Sequence, residues 1–235
     1  DKEFQVIDSV SLDIEKGEFI TFIGPNGSGK TTLFNIIAGL ENKTSGRIII
    51  NGKNPRETKI GFVFQNYNDS LLPWLTVYEN IRLPLELSNY SKEKTNKKVN
   101  YLLSKAGLEN HKNKYPYQLS GGLKQLVAIC RAFVNNPEIL LMDEPCSALD
   151  FQTTKKIELE ILDIWQEKRT TTLFISHDLD EAIFLADKVV VFTPRPARIK
   201  DIFPVYLPRP RTLDLLATQD FFELRKKILS SFRYE

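Results

Sequence analysis

The chain has 235 residues, 42% of them hydrophobic and 26% charged, which describes a folded globular protein and excludes a disordered or fibrous one. Its 32 basic residues nearly balance 30 acidic ones, leaving a net charge of +2, whereas a whole-chain nucleic-acid binder is usually far more basic, so no nucleic-acid partner is expected. The longest apolar runs, such as Ile139–Met142 and Val189–Phe192, are strand-sized, well short of the ~20 residues of a membrane span. Asp1-Lys2-Glu3 leads straight into strand-like sequence, where no signal peptide is expected. Cys130 and Cys146 lack metal-ligand spacing and read as reduced structural thiols of a cytosolic protein.

In chain order, Ser9–Ile14 and Glu18–Ile23 alternate apolar with polar around a turn at Lys16-Gly17 and read as two strands. A glycine-rich loop, Gly24–Lys30, precedes a helix over Thr31–Leu40. Arg47–Ile50 and Ile60–Phe64 read as strands, the first ending at an Asn51-Gly52 turn. From Asn66 to Asn135 helical periods replace strand signals, at Val77–Leu87, Lys92–Ala106 and Leu119–Phe133. Strands return at Ile139–Met142, Thr172–Ser176, Val189–Thr193 and Ile199–Val205, separated by helices at Thr153–Lys168 and Leu179–Ala186. In the first of these helices Ile157, Ile161 and Trp165 make one apolar stripe for a sheet to cover. A proline-punctuated tail, Pro194–Pro210, leads to a last helix near Gln219–Phe232. Alternating strands and helices predict an α/β core with a parallel sheet covered on both faces, and the all-helical middle reads as a subdomain inserted into it.

Gly24-Pro25-Asn26-Gly27-Ser28-Gly29-Lys30-Thr31 fits G-x-x-x-x-G-K-[ST] in full, with an apolar strand before it and a helix after it. Glycines let successive N–H groups turn inward around phosphate oxygens, and the helix N-terminus adds its positive end. Lys30 supplies a point charge for the β- and γ-phosphates, the Thr31 hydroxyl suits Mg²⁺, and Thr32 can reach the α-phosphate. ATP with Mg²⁺ is the expected ligand.

Far downstream, Ile139–Met142 is a buried strand that ends in Asp143-Glu144. Side chains alternate along a strand, so the two carboxylates should point apart: Asp143 to support hydrated Mg²⁺, Glu144 to polarise the attacking water. Between the two nucleotide motifs, Leu119-Ser120-Gly121-Gly122 precedes a helix carrying Leu126, Ile129 and Phe133. Ser120 and the glycines cap its N-terminus, which makes a second anion cradle.

These motifs, with Gln65 after Ile60–Phe64, Ser147-Ala148-Leu149-Asp150 after Pro145, and His177 after Phe174-Ile175-Ser176, follow one another in an order that resembles the nucleotide-binding subunit of an ATP-binding cassette (ABC) transporter across nearly the whole chain. The resemblance implies one ABC ATPase domain over 1–235: a RecA-like P-loop core (1–65 and 136–205) with N-terminal antiparallel strands, a helical subdomain (66–135) and a C-terminal tail (206–235). It implies that Gln65 touches Mg²⁺ and the lytic water, and that Ser120, Gly121, Gly122 and Leu123 close on the γ-phosphate of ATP held by a second ATPase subunit, head to tail. Asp150 would communicate across that interface, and His177 would contact the γ-phosphate and help orient Glu144. Leu71–Asn80, His177–Ala182 with Leu185–Asp187, and the tail Pro194–Arg198 with Leu207–Arg211 resemble the nitrate, sulfonate and taurine importers. That likeness implies transmembrane permease subunits docking near Gln65 and Leu71–Val77, a separate solute-binding protein, and a place on the cytoplasmic face of the membrane. The chain departs from many relatives at Leu123, where they carry Gln, and the aromatic residue that stacks on adenine in most of them would precede Asp1. Alternatives are an ABC exporter subunit, or a soluble ABC ATPase acting on nucleic acid or ribosomes.

Overall fold

The computed structural model describes residues 4–66 and 70–232; the expected boundaries at residues 1 and 235, and residues 67–69 of the inserted segment, lie outside the described residues. β1 (Phe19–Ile23) is buried along its whole length and forms the middle of the molecule. Phe19 and Ile23 face one apolar cluster and Ile20 and Phe22 the other, the alternation of a strand covered on both sides. β2 (Ile60–Val63), β3 (Ile139–Asp143), β4 (Thr171–Ile175), β5 (Lys188–Phe192) and β6 (Ile199–Pro204) complete one sheet in the order β2-β3-β4-β1-β5-β6. All neighbours are parallel except β5 and β6.

α1 (Lys30–Ile37) covers one face, where Phe34 packs edge-on to Phe22. α5 (Phe151–Lys168) and α6 (Leu179–Leu185) cover the other. Ile157, Ile161 and Trp165 are fully buried there, and Trp165 meets Phe19 edge-on at 5.7 Å between centroids and donates from Nε1 to Thr170 O at 2.9 Å. Between β2 and β3 the chain forms α2 (Val77–Leu87), α3 (Lys92–Lys105) and α4 (Gly121–Phe133), which share a core of Ile81, Leu85, Leu103, Leu126 and Ile129. α2 starts in a capping box: Glu79 N–H donates to Thr76 Oγ1 and Thr76 N–H to Glu79 Oε2. α7 (Gln219–Ser231) closes the chain against β6 and α6.

The α/β class with a mainly parallel sheet agrees with the sequence reading, and the N-terminal antiparallel strands do not. Neither Ser9–Ile14 nor Arg47–Ile50 joins a ladder; β1 is a central parallel strand, and the antiparallel pair lies at the β5–β6 edge. The alternation of Val10, Leu12 and Ile14 records packing of one face on the Phe22–Phe34 cluster, while the left-handed φ of 54° at Ser9 turns the backbone as the segment starts. Asn51-Gly52 does turn the chain, with φ of 50° and 80°, but only Ile50 and Lys53 exchange hydrogen bonds across it.

Candidate nucleotide site

Three adjacent parallel strands, β3, β4 and β1, end at one edge of the sheet, and the segments leaving their carboxyl ends carry the charged groups. This edge is where open α/β sheets bind ligands. β1 runs into Gly24–Gly29, β3 delivers Asp143 and Glu144, and β4 delivers Ser176 and His177.

The phosphate loop is wrapped tightly enough to dictate its residue types. Gly29 has φ of 111°, and a Cβ there would stand 2.9 Å from Val6 Cγ1, so both backbone and space demand glycine. Asn26 and Gly27 are exposed at the tip, and Ser28 is buried. Lys30 Nζ folds back into the loop, donating to Gly24 O at 2.9 Å and Pro25 O at 3.0 Å, with Ser28 Oγ at 3.4 Å. Burial pulls its pKa down, and the Glu144 and Asp143 carboxylates oppose that shift. Thr31 and Thr32 follow in the first turn of α1, Thr31 exposed.

Asp143 is 3% exposed. Burial raises its pKa, the Thr31 hydroxyl bonded to it lowers it, Glu144 raises it and Lys30 lowers it. Its Oδ1 is buried without a hydrogen-bond partner. An orphaned carboxylate oxygen beside a hydroxyl and the phosphate loop fits a hard divalent cation that completes its shell with phosphate oxygens and water. Among the described residues no three His, Cys, Asp or Glu converge on one point, so a cation here would lean on its nucleotide.

Glu144 takes up a left-handed φ of 45°, which turns the chain out of β3. Its Oε2 accepts from Gln65 Nε2 at 3.0 Å and lies 3.5 Å from His177 Nδ1. Two residues from separate motifs, Gln65 and His177, thus meet on one carboxylate oxygen of a third, with Lys30 close enough to bear on the same charge.

Ser120 and Asp150 do something different: each caps a helix. Ser120 Oγ accepts from Leu123 N–H at 3.5 Å at the start of α4, and Asp150 Oδ1 accepts from Thr153 N–H at 3.0 Å at the start of α5. Hydrogen bonds from the Thr153 side chain and backbone hold the Asp150 carboxyl below its ordinary pKa. The two caps abut, because a Cβ on Gly122 would come within 2.4 Å of Thr153 Cγ2. Ser120–Leu123 are therefore placed with the Asp150 loop, while Gln65, Glu144 and His177 gather with the phosphate loop.

Sequence reasoning missed a buried polar group beneath this site. Lys155 and Glu158 pair inside the core, Nζ at 2.9 Å from both carboxylate oxygens, and Glu181 is 5% exposed. The signal was present: Lys155 and Glu158 flank the apolar stripe of α5, so at helical spacing one side of each faces the sheet.

The ABC transporter family profile matches residues 7–147. The chain is 44% identical to an uncharacterised ABC transporter ATP-binding protein of Methanocaldococcus jannaschii, over 98% of this chain and 85% of that one. It is 41% identical to the aliphatic sulfonates import ATP-binding protein SsuB of Bacillus subtilis, over 97% of this chain and 87% of that one. A dimeric ATP-binding cassette in a post-hydrolysis state bound to ADP and Pi superimposes with a TM-score of 0.74 at 35% identity, covering 86% of this chain and 92% of the other. The cbiO1 protein of Clostridium perfringens, part of the ABC transporter complex cbiONQ, gives a TM-score of 0.79 at 26% identity, covering 96% and 89%.

Proposed function

Because this chain belongs to the ABC transporter family of ATP-binding ATPases, we propose that it is the engine of a membrane importer for small anionic solutes of the sulfonate type, working head to tail with a second ATPase subunit. The observation that carries the reading is the convergence of Gln65 and His177 on Glu144 Oε2 beside the phosphate loop. In hydrolysis a water on the far side of the γ-phosphorus gives a proton to Glu144 as its oxygen bonds to phosphorus. The bond from phosphorus to the β,γ-bridging oxygen breaks, and ADP leaves with the electron pair. Gln65 holds the carboxylate and His177 contacts the γ-phosphate. Lys30, released from the Gly24 and Pro25 carbonyls, and the loop N–H groups stabilise the charge that develops on the transferring group. Mg²⁺, held by Thr31, Asp143 and Gln65, would neutralise charge on the phosphate oxygens.

Ser120 is exposed at the start of α4, which suits a cap that serves a nucleotide on the facing subunit. In the first turn of α2, Asn80 is fully buried and pins the preceding loop: its Nδ2 donates to Leu72, Leu75 and Thr76 carbonyls at 2.9–3.1 Å, and its Oδ1 accepts from Leu72 N–H. That rigid loop presents Trp74 at 69% exposure, and Phe64 and Leu87 are also exposed. Phe64, which immediately precedes Gln65, and Leu87 line one cleft, and exposed apolar side chains of this kind support docking of a permease on this side of the chain. No helix among the described residues is long and apolar enough to cross a membrane, so attachment to the cytoplasmic face would come through that partner.

The test is uptake and co-purification in one strain. A strain lacking this chain should lose uptake of a sulfonate and regain it with the wild type, and membrane subunits should co-purify. Co-purification with ribosomes or nucleic acid, and unchanged uptake, would refute the importer reading.

A further inference from the structure

We propose that Glu181 is a positioning residue for ATP hydrolysis: its buried carboxylate ties the turn that carries His177 to the loop that follows Glu144. Ser176 and Asp178 flank His177 on either side. Asp178 N–H donates to Ser176 Oγ at 2.9 Å, which closes a tight turn around the histidine, and the Ser176 hydroxyl in turn donates to Glu181 Oε2. From the other direction comes Cys146, two residues beyond Glu144, whose thiol lies against the same carboxyl. The Glu144 end of that loop is fixed as well, since Ser147 N–H and Oγ–H both donate to Glu144 O, at 3.2 and 3.0 Å. Glu181 therefore joins the backbones behind the two side chains that face each other at 3.5 Å.

The carboxyl has no cation of its own among the described residues. The nearby ammonium, Lys155 Nζ on α5, is held by both oxygens of Glu158, and Asp180 at the start of α6 is paired with Arg225 of α7. Glu158 and Asp178 add negative charge, and one Glu181 oxygen, Oε1, has no hydrogen-bond partner. Burial first, and then these carboxylates, push the group up to about 7, against the hydrogen bonds from Ser176 and Cys146 that hold it down. The ionised carboxylate is the form that accepts strongly from Ser176. Below neutrality the tie slackens and the His177 turn is held less firmly.

The inference rests on the roles proposed for Glu144 and His177, so E144Q and H177A accompany the test. In the full chain, assembled with its membrane subunits, steady-state ATP hydrolysis is measured from pH 5.5 to 8.5. E181Q should lower kcat by about tenfold, the size of one lost coupling between neighbours, leave the KM for ATP within about twofold, and remove the rise in kcat through neutral pH. S176A cuts the same tie while leaving Glu181 in place and should give the same kcat loss, and the double variant should fall no further than either single one. Should E181Q fold poorly, S176A alone decides. Wild-type kcat and an unchanged pH profile in these variants overturn the inference. If E144Q or H177A instead retains full hydrolysis, the site reading itself fails; if both lose it while E181Q and S176A do not, only the positioning role falls.

Discussion

Gly122→Ala adds a single methyl where two helix N-termini touch. A Cβ at Gly122 stands 2.4 Å from Thr153 Cγ2, well inside contact distance, and the neighbour is a β-branched side chain held in place by its hydrogen bond to Asp150 at 2.6 Å. Neither partner can yield freely: rotating Thr153 breaks that bond, and shifting α4 disturbs a helix whose Leu126 and Ile129 are buried. Overpacking of this kind costs about 1–3 kcal/mol. Replacing glycine in a helix returns at most ~1 kcal/mol, and less at the second helical position. The net loss is about 1–2 kcal/mol, which for a domain of this size lowers Tm by about 2–8 °C. ATP hydrolysis should fall as well, because the displaced cap is the proposed contact for the facing nucleotide. Thr153→Ser removes Cγ2 and keeps the hydroxyl, so G122A/T153S should return to within about 0.5 kcal/mol of T153S alone. Thermal melts of the four proteins read this directly. A G122A protein that melts with the wild type, or a double variant no better than G122A, would refute the packing argument.

Glu144→Gln keeps a side chain that can meet Gln65 but cannot take a proton, so phosphate release should fall about 10²- to 10⁴-fold while ATP binding persists; near-full turnover would remove Glu144 from its role. Trp165→Ala empties the centre of the sheet–helix core and should cost about 3–5 kcal/mol in denaturant unfolding. Arg211→Met strips the donors from the Ile183, Phe184 and Ala186 carbonyls at the end of α6, costing about 1–3 kcal/mol and speeding amide exchange there. For Glu181 the folded pKa of about 7 lies above the ordinary 4.5. The folded chain therefore keeps a proton that the unfolded chain has released, and stability falls as pH rises from 4.5 through 7, by about 3 kcal/mol over the full gap. E181Q should flatten that slope in unfolding curves taken across the window, and an unchanged slope would place the titration elsewhere.

The phosphate loop was legible because its chemistry is local: glycine, lysine and threonine are fixed by consecutive backbone turns, and Gly29 shows both the positive φ and the crowding that permit nothing larger. Asp143 and Glu144 were legible because two carboxylates directly after four apolar strand residues break the pattern a buried strand demands, and Asp143 stays buried with an unpartnered oxygen, as a site residue rather than a surface one would. The false strands at Ser9–Ile14 and Arg47–Ile50 show the limit of periodicity. Alternation reports which side chains face a core, and a segment such as Val10–Ile14 can satisfy that by lying on the core without pairing. Glu181 escaped because its partners, Ser176 and Cys146, come from two other segments, so the meaning of a lone glutamate on a short helix exists only after folding.

The arrangement of caps also explains how the distant motifs bear on one another within a single chain. Ser120 starts α4 in the helical segment and Asp150 starts α5 in the core, yet Gly122 and Thr153 leave no room between them. Thr153 is bonded through both backbone and hydroxyl to Asp150, and the loop before Asp150 is anchored at Ser147 to the Glu144 carbonyl. A close-packed contact transmits displacement because its neighbours cannot be compressed. Direct contacts therefore run from the start of α4 to Thr153, from Thr153 to Asp150, and from Ser147 in the loop before it to the backbone of Glu144. Gln65 reaches the same residue from β2, through its side chain. Glu144 is thus held at its carbonyl by the loop that leads to α5, and at its carboxylate it meets Gln65 and His177, so its orientation is set by three other segments of the chain.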